Sequence, residues 1–183
     1  MKRLILVLTL AAIVLAAAGG SIAYFTVAAT AHNVITAGNV RMALHDEAAD
    51  GGVFSDKALN GMMPGDTADK IVYVENTGDN TFYTRIKVVC NAKSPEGKAL
   101  SAQVIAFDID TASWQMGSDG WYYCLSGVDK GTRTKPLFTK VSFLPGVGND
   151  YTDANVSISI DAQAVQRDNN GTTVWQAAGW PAG

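Results

Sequence analysis

The chain reads as an all-β protein, an antiparallel β-sandwich of jelly-roll or immunoglobulin-like type with about 7–8 strands. Three observations lead there. Apolar residues recur with period two over most of its length, and turn-forming residues separate those runs. No stretch of a dozen residues carries helical periodicity. Short alternating runs punctuated by turn signals are the pattern of a sandwich rather than of a helix-bearing fold.

In chain order, the first element is an address. Lys2 and Arg3 precede Leu4 to Ala18, in which Thr9 alone is not apolar; Gly19-Gly20 then breaks the run. Ser21-Ile22-Ala23 places small residues at both critical positions of a signal-peptidase site. Residues 1–23 are therefore expected to be a signal peptide, cut between Ala23 and Tyr24. The competing reading is an uncleaved anchor, since Leu4 to Phe25 is long enough to cross a bilayer as a helix. The glycine pair and the small residues favour cleavage, which leaves no membrane contact afterwards.

Residues 24–38 form the second element. At odd positions stand Phe25, Val27, Ala29, Ala31, Asn33, Ile35 and Ala37, apolar but for Asn33. Tyr24 to Ala37 contains no Asp, Glu, Lys, Arg or Pro, the residues that ordinarily keep an exposed strand from pairing with another chain. We expect a donor strand, with Phe25, Val27, Ala29, Ala31 and Ile35 buried in a neighbour's sheet. The alternative is the first strand of its own sandwich, because period two does not distinguish self from neighbour.

Residues 39–183 make the sandwich domain. Strands are expected at Asn39–His45, Lys70–Asn76, Phe82–Asn91, Ala102–Asp110, Gly120–Ser126, Leu137–Leu144 and Ala154–Gln166. In the last, Val156, Ile158, Ile160, Ala162 and Ala164 alternate with polar residues, giving one buried and one wet face. Pro64-Gly65, Ser94-Pro95-Glu96-Gly97, Ser118-Asp119-Gly120 and Pro145-Gly146 supply turns. The tail from Arg167 is read as loop with a short strand near Val174.

Composition narrows the function. The chain has 14 basic and 17 acidic residues. Without residues 1–23, which carry Lys2 and Arg3 and no acid, the balance falls to 12 against 17, or −5. No basic cluster offers a grip on a phosphate backbone, so nucleic acid is not an expected partner. Two cysteines and two histidines leave little for metal or acid–base chemistry.

A set of short motifs carries a resemblance. The glycine-pair signal runs into Ala23-Tyr24-Phe25-Thr26, and Thr36-Ala37-Gly38-Asn39-Val40 follows. Then come Met63-Pro64-Gly65-Asp66, Val74-Glu75-Asn76-Thr77-Gly78, Asp119-Gly120-Trp121-Tyr122-Tyr123 and the strand Ile158–Gln166. In that order and spacing the chain resembles the TasA/camelysin family of secreted proteins from Gram-positive bacteria. The likeness covers most of the chain and is strongest from Gly19 to Gly78. It implies export through a SipW-type signal peptidase as partner. It implies also a head-to-tail homopolymer, in which the N-terminal segment of one subunit completes a sheet of the next, forming biofilm-matrix or cell-surface fibres. The long helical insertion of TasA is absent, so the short camelysin-type members are the nearer likeness.

Chemistry is weighed against that background. His32 and His45 are not in a His-Glu-x-x-His pattern, and His45-Asp46-Glu47 alternates across a strand. Asp46 to Asp56 fails as a calcium loop at Ala48 and Lys57. Asp108 and Asp110 share a strand face but read as polar surface. Trp121 and Tyr123 share one face with Tyr122 on the other, as core or as a binding patch. Asn155-Val156-Ser157 and Asn170-Gly171-Thr172 fit the glycosylation sequon. Cys90 and Cys124 are a candidate disulfide after export, with free buried thiols as the alternative. We expect no enzyme, no cofactor and no metal. The alternatives are a camelysin-like surface metalloendopeptidase, and a monomeric adhesin or carbohydrate-binding module.

Overall fold

The structure, a computed structural model, describes residues 26–30, 34–37, 40–59, 62–145, 151 and 153–181. The signal segment, its cleavage point at Ala23 and Tyr24, and Phe25 and Ala31 lie outside the described residues.

The fold is all-β, a sandwich of two antiparallel sheets with no α-helix among the described residues. Sheet A runs β1 (Thr26–Thr30), β11 (Asn155–Gln166), β5 (Phe82–Lys93), β9 (Tyr122–Cys124), β8 (Trp114–Met116), with β6 (Ala99–Leu100) on the far end of β5. Sheet B runs β2 (Val34–Ala37), β3 (Val40–Glu47), β4 (Thr67–Asn76), β10 (Phe138–Phe143), β7 (Ile105–Phe107). The backbone of sheet A is the ladder between β5 and β11, continuous from Phe82 opposite Gln166 to Lys93 opposite Asn155.

Alternation decides which side chains meet. Val40, Met42 and Leu44 of β3, Val72 and Val74 of β4, Ile86 of β5, and Ile158, Ile160 and Ala162 of β11 turn into the shared core with Trp114 and Phe138. Burying each of the larger apolar side chains stabilises by about 1.5–3 kcal/mol. Pro64-Gly65 makes the expected turn into β4, Gly65 taking φ +99° as the second corner of a Pro-Gly turn requires.

Some elements depart from expectation. Ala102–Asp110 is not one strand: Ala102–Val104 is a 3-10 turn, with Ser101 Oγ accepting from Gln103 N, and the strand itself is Ile105–Phe107. The short strand expected near Val174 is a 3-10 turn, Val174–Gln176, that plugs a single buried valine onto sheet A. β6 and β8, two and three residues long, are too short to show a period.

Candidate assembly edge and polar clusters

The N-terminal segment is split between the sheets. Thr26–Thr30 pairs antiparallel with β11, Val27 lying opposite Ala164 and Ala29 opposite Ala162. Val34–Ala37 pairs with β3 of the other sheet, Ile35 opposite Met42. β1 thus covers the β11 edge only from Asp161 to Val165. Among the described residues, Asn155 to Ile160 have no strand on that side. At this end of β11 a shallow apolar recess is lined by Ala154 and Val156 together with Leu59, Met62, Val141 and Phe143.

On the outer face of sheet B, His45 stacks on Tyr73, with ring centroids 4.4 Å apart and planes 4° from parallel. Its Nδ1 lies 3.1 Å from Glu47 Oε1 and its Nε2 2.9 Å from Glu75 Oε2. Tyr73 Oη donates to Glu47 at 2.9 Å, and the Arg133 guanidinium lies 5.3 Å from the Tyr73 ring centre. Burial, and then the hydrogen bond to Glu47, push the Tyr73 hydroxyl above the usual phenol range. The two carboxylates sit at opposite edges of the imidazole, so they do not converge on a shared ion. Among the described residues no three His, Cys, Asp or Glu side chains form a group able to hold a metal. Asp46 points the other way, into the core.

On the outer face of sheet A, Arg85 is the hub. Its Nε and Nη2 donate to Gln163 Oε1 at 3.0 and 2.7 Å, and its Nη1 to Asp119 Oδ2 at 3.0 Å and Tyr123 Oη at 2.8 Å. The guanidinium lies between Trp121 and Trp180, at 4.5 and 4.7 Å from the ring centres. Burial opposes the Asp119 charge. The hydrogen bonds from Tyr123 Oη and Trp121 N–H, with the Arg85 charge, outweigh it and hold that carboxyl below the usual range. The tail after β11 is the cover. Asn170 Nδ2 donates to Gln166 O and Ala178 O, and Ala178 N donates back to Asn170 Oδ1, closing residues 167–180 into a strap that seats Val174 and brings Trp180 over Arg85. Trp121 and Tyr123 therefore belong to a second, outer cluster, while Tyr122 packs on the main core.

The remaining candidates have structural tasks. Asp108 accepts from Thr139 N and Lys140 N at 2.8 and 2.6 Å, where the pairing of β10 with β4 shifts register. Asp110 accepts from Ala112 N in a turn. The Asn170 sequon side chain is buried and used by the strap. The Cys90–Cys124 disulfide is corrected: both thiols are free. Tyr123 opposes Arg85 in the ladder, so Cys124 falls level with Thr84. Cys90 is six residues further along β5, roughly 20 Å away at the rise of a strand, well beyond disulfide reach. Burial, and then Asp56, raise the Cys90 thiol to about 11; burial also raises Cys124.

Sequence parity carried a signal for two of the missed residues. Lys70 is in phase with Val72 and Val74, and Asp46 with Met42 and Leu44, so both fall on the buried face. Comparison with family models, with curated proteins and with solved structures finds no significant match to this chain.

Proposed function

We propose that this chain is a secreted structural protein of TasA/camelysin-like type. It polymerises head to tail into extracellular fibres by handing its N-terminal segment to the β11 edge of a neighbour. One observation carries the reading. The register that sets Thr26 opposite Val165 and Thr30 opposite Asp161, if continued, sets Phe25 opposite Gln166 and Thr36 opposite Asn155. The uncharged segment Tyr24 to Ala37 is thus as long as the whole β11 edge, yet within one chain, among the described residues, Thr26–Thr30 alone use it. Straightened onto a neighbour, the segment gains main-chain hydrogen bonds along Asn155 to Ile160 and lies beside the apolar recess. Exchange of an identical element between protomers needs no new surface, and a head-to-tail contact propagates as a filament. Removal of residues 1–23 by a SipW-type peptidase would free the strand only after export, at the surface of a Gram-positive cell or in its matrix.

The test uses two variants of the mature protein, each with Cys90→Ala and Cys124→Ala, one carrying Val27→Cys and the other Ala164→Cys. Mixed before assembly, they should give filaments in which a short thiol cross-linker joins one variant to the other. A protein that stays dispersed, or filaments in which residues 27 and 164 cross-link only when both cysteines are in one chain, would overturn the reading. Deleting Tyr24 through Asn33 should leave soluble, folded protein that forms no filaments.

A further inference from the structure

We propose that Lys70 and Asp46 are the two halves of an intramolecular amide cross-link that ties β3 to β4 inside the sandwich. Both side chains point into the core, Lys70 1% and Asp46 5% exposed. Lys70 Nζ donates to both carboxylate oxygens, Oδ1 at 2.7 Å and Oδ2 at 2.6 Å, so the nitrogen faces the carboxyl carbon that lies between them. The register explains the approach. Asp46 is directly opposite Val72, and Lys70, two residues before it on the same face, is the diagonal neighbour.

The enclosure favours condensation over the ion pair. The Phe54 ring lies 4.0 Å from Lys70 Nζ, and Phe54 N donates to Asp46 O at 2.9 Å, which pins the ring over the pair. Charges removed from water to such a site are held at a desolvation cost that their mutual attraction only partly offsets. An amide has no such charge to hold. The hydrogen bond provides the path for the first step: one ammonium proton passes to the carboxylate, leaving a neutral amine beside a neutral carboxylic acid. The amine lone pair then attacks Cγ, the C–OH bond breaks, and the departing hydroxyl takes a second proton from nitrogen and leaves as water. Atoms and charges balance with no other reactant, and nothing is oxidised or reduced. Fixed proximity of the two groups supplies the rate that dilute amines and acids lack.

The measurement is the intact mass of the full, denatured protein, referred to its experimentally determined N-terminus. The expected result is a mass lower by one water than the sequence requires. Digestion at lysine should then give no cut after Lys70, and one branched peptide joining the segment with Asp46 to that with Lys70. The full sequence mass overturns the proposal. So does a water loss located at Asp50-Gly51 as a succinimide, which mild base reverses while an amide survives it. Lys70→Arg should restore the full mass; a variant still one water light places the loss elsewhere and overturns the assignment. Should that variant not fold, the peptide map of the unaltered protein decides alone.

Discussion

On the outer face of sheet B, His45, Glu47 and Glu75 form a polar layer open to solvent over the buried Tyr73, their side chains a quarter to two-fifths exposed. On the outer face of sheet A, Arg85, Tyr123 and Gln163 form a layer of related chemistry buried under Trp180 and the tail, with Asp119 at its rim, 42% exposed. Both arise from the residues that alternation leaves outside the core. What differs is cover: on sheet A the chain continues past its last strand and closes over the layer. The lesson is that polar side chains left outside the core act as surface decoration on one face, while Arg85, Tyr123 and Gln163 act as a second core on the other, according to whether water reaches them.

The largest break in that comparison should come from Arg85→Met. It strands the buried Gln163, takes the charge partner from Asp119 at the rim, and empties the slot between two tryptophans. The expected loss is about 3 kcal/mol by urea denaturation, the scale of breaking a buried, hydrogen-bonded charge. A loss comparable to that of a surface charge would mean the strap does not seal the face. Next, Asn170→Ala removes the hook that holds the strap. We expect a loss of about 2 kcal/mol from the three backbone groups left unpaired, with tryptophan emission shifting to the red as Trp180 meets water.

Asp119→Asn sharpens the comparison through pH. The Asp119 carboxyl is depressed below 3.8 in the folded protein, so its contribution is complete above that value and is lost as pH falls through the lower folded one. The variant should therefore be less stable than the unaltered protein at neutral pH, with the gap closing on acidification below about 3.8. A gap independent of pH in guanidine melts would show that the carboxylate charge is not what matters. The smallest effect is expected on sheet B: His45→Gln should cost under about 1 kcal/mol and less still in high salt, as exposed ion pairs do.

Period two was enough to place the long strands, because each of β3, β4, β5 and β11 has one face in a single continuous core. It failed where burial comes from isolated residues. Val174 and Asn170 are buried by a hook between Gln166 and Ala178, and no pattern in the tail announces that. Parity also put Cys90 on the core side, where it packs, but parity says nothing of position along a strand, and the bridge to Cys124 failed on that coordinate. The Lys70–Asp46 pair was legible in principle, an acid and a base each in phase with apolar neighbours on adjacent strands. Arg85 was not: its partners Asp119 and Gln163 lie on elements 34 and 78 residues away, brought together by pairing alone.

The β5–β11 ladder also sets a timetable. Delivered N-terminus first, the chain can pair β2, β3 and β4 in turn, since each follows the last in sequence. In sheet A, β5 can pair early with β6 and β8 with β9, but the edge that β1 needs is β11, the last strand. The central ladder of this sheet joins residues 82–93 to 155–166, and contacts between segments so far apart form late. β1 is therefore among the first strands to emerge, and its place within its own chain is created almost last. For the whole of that interval the only β11 edge on offer belongs to a molecule already finished.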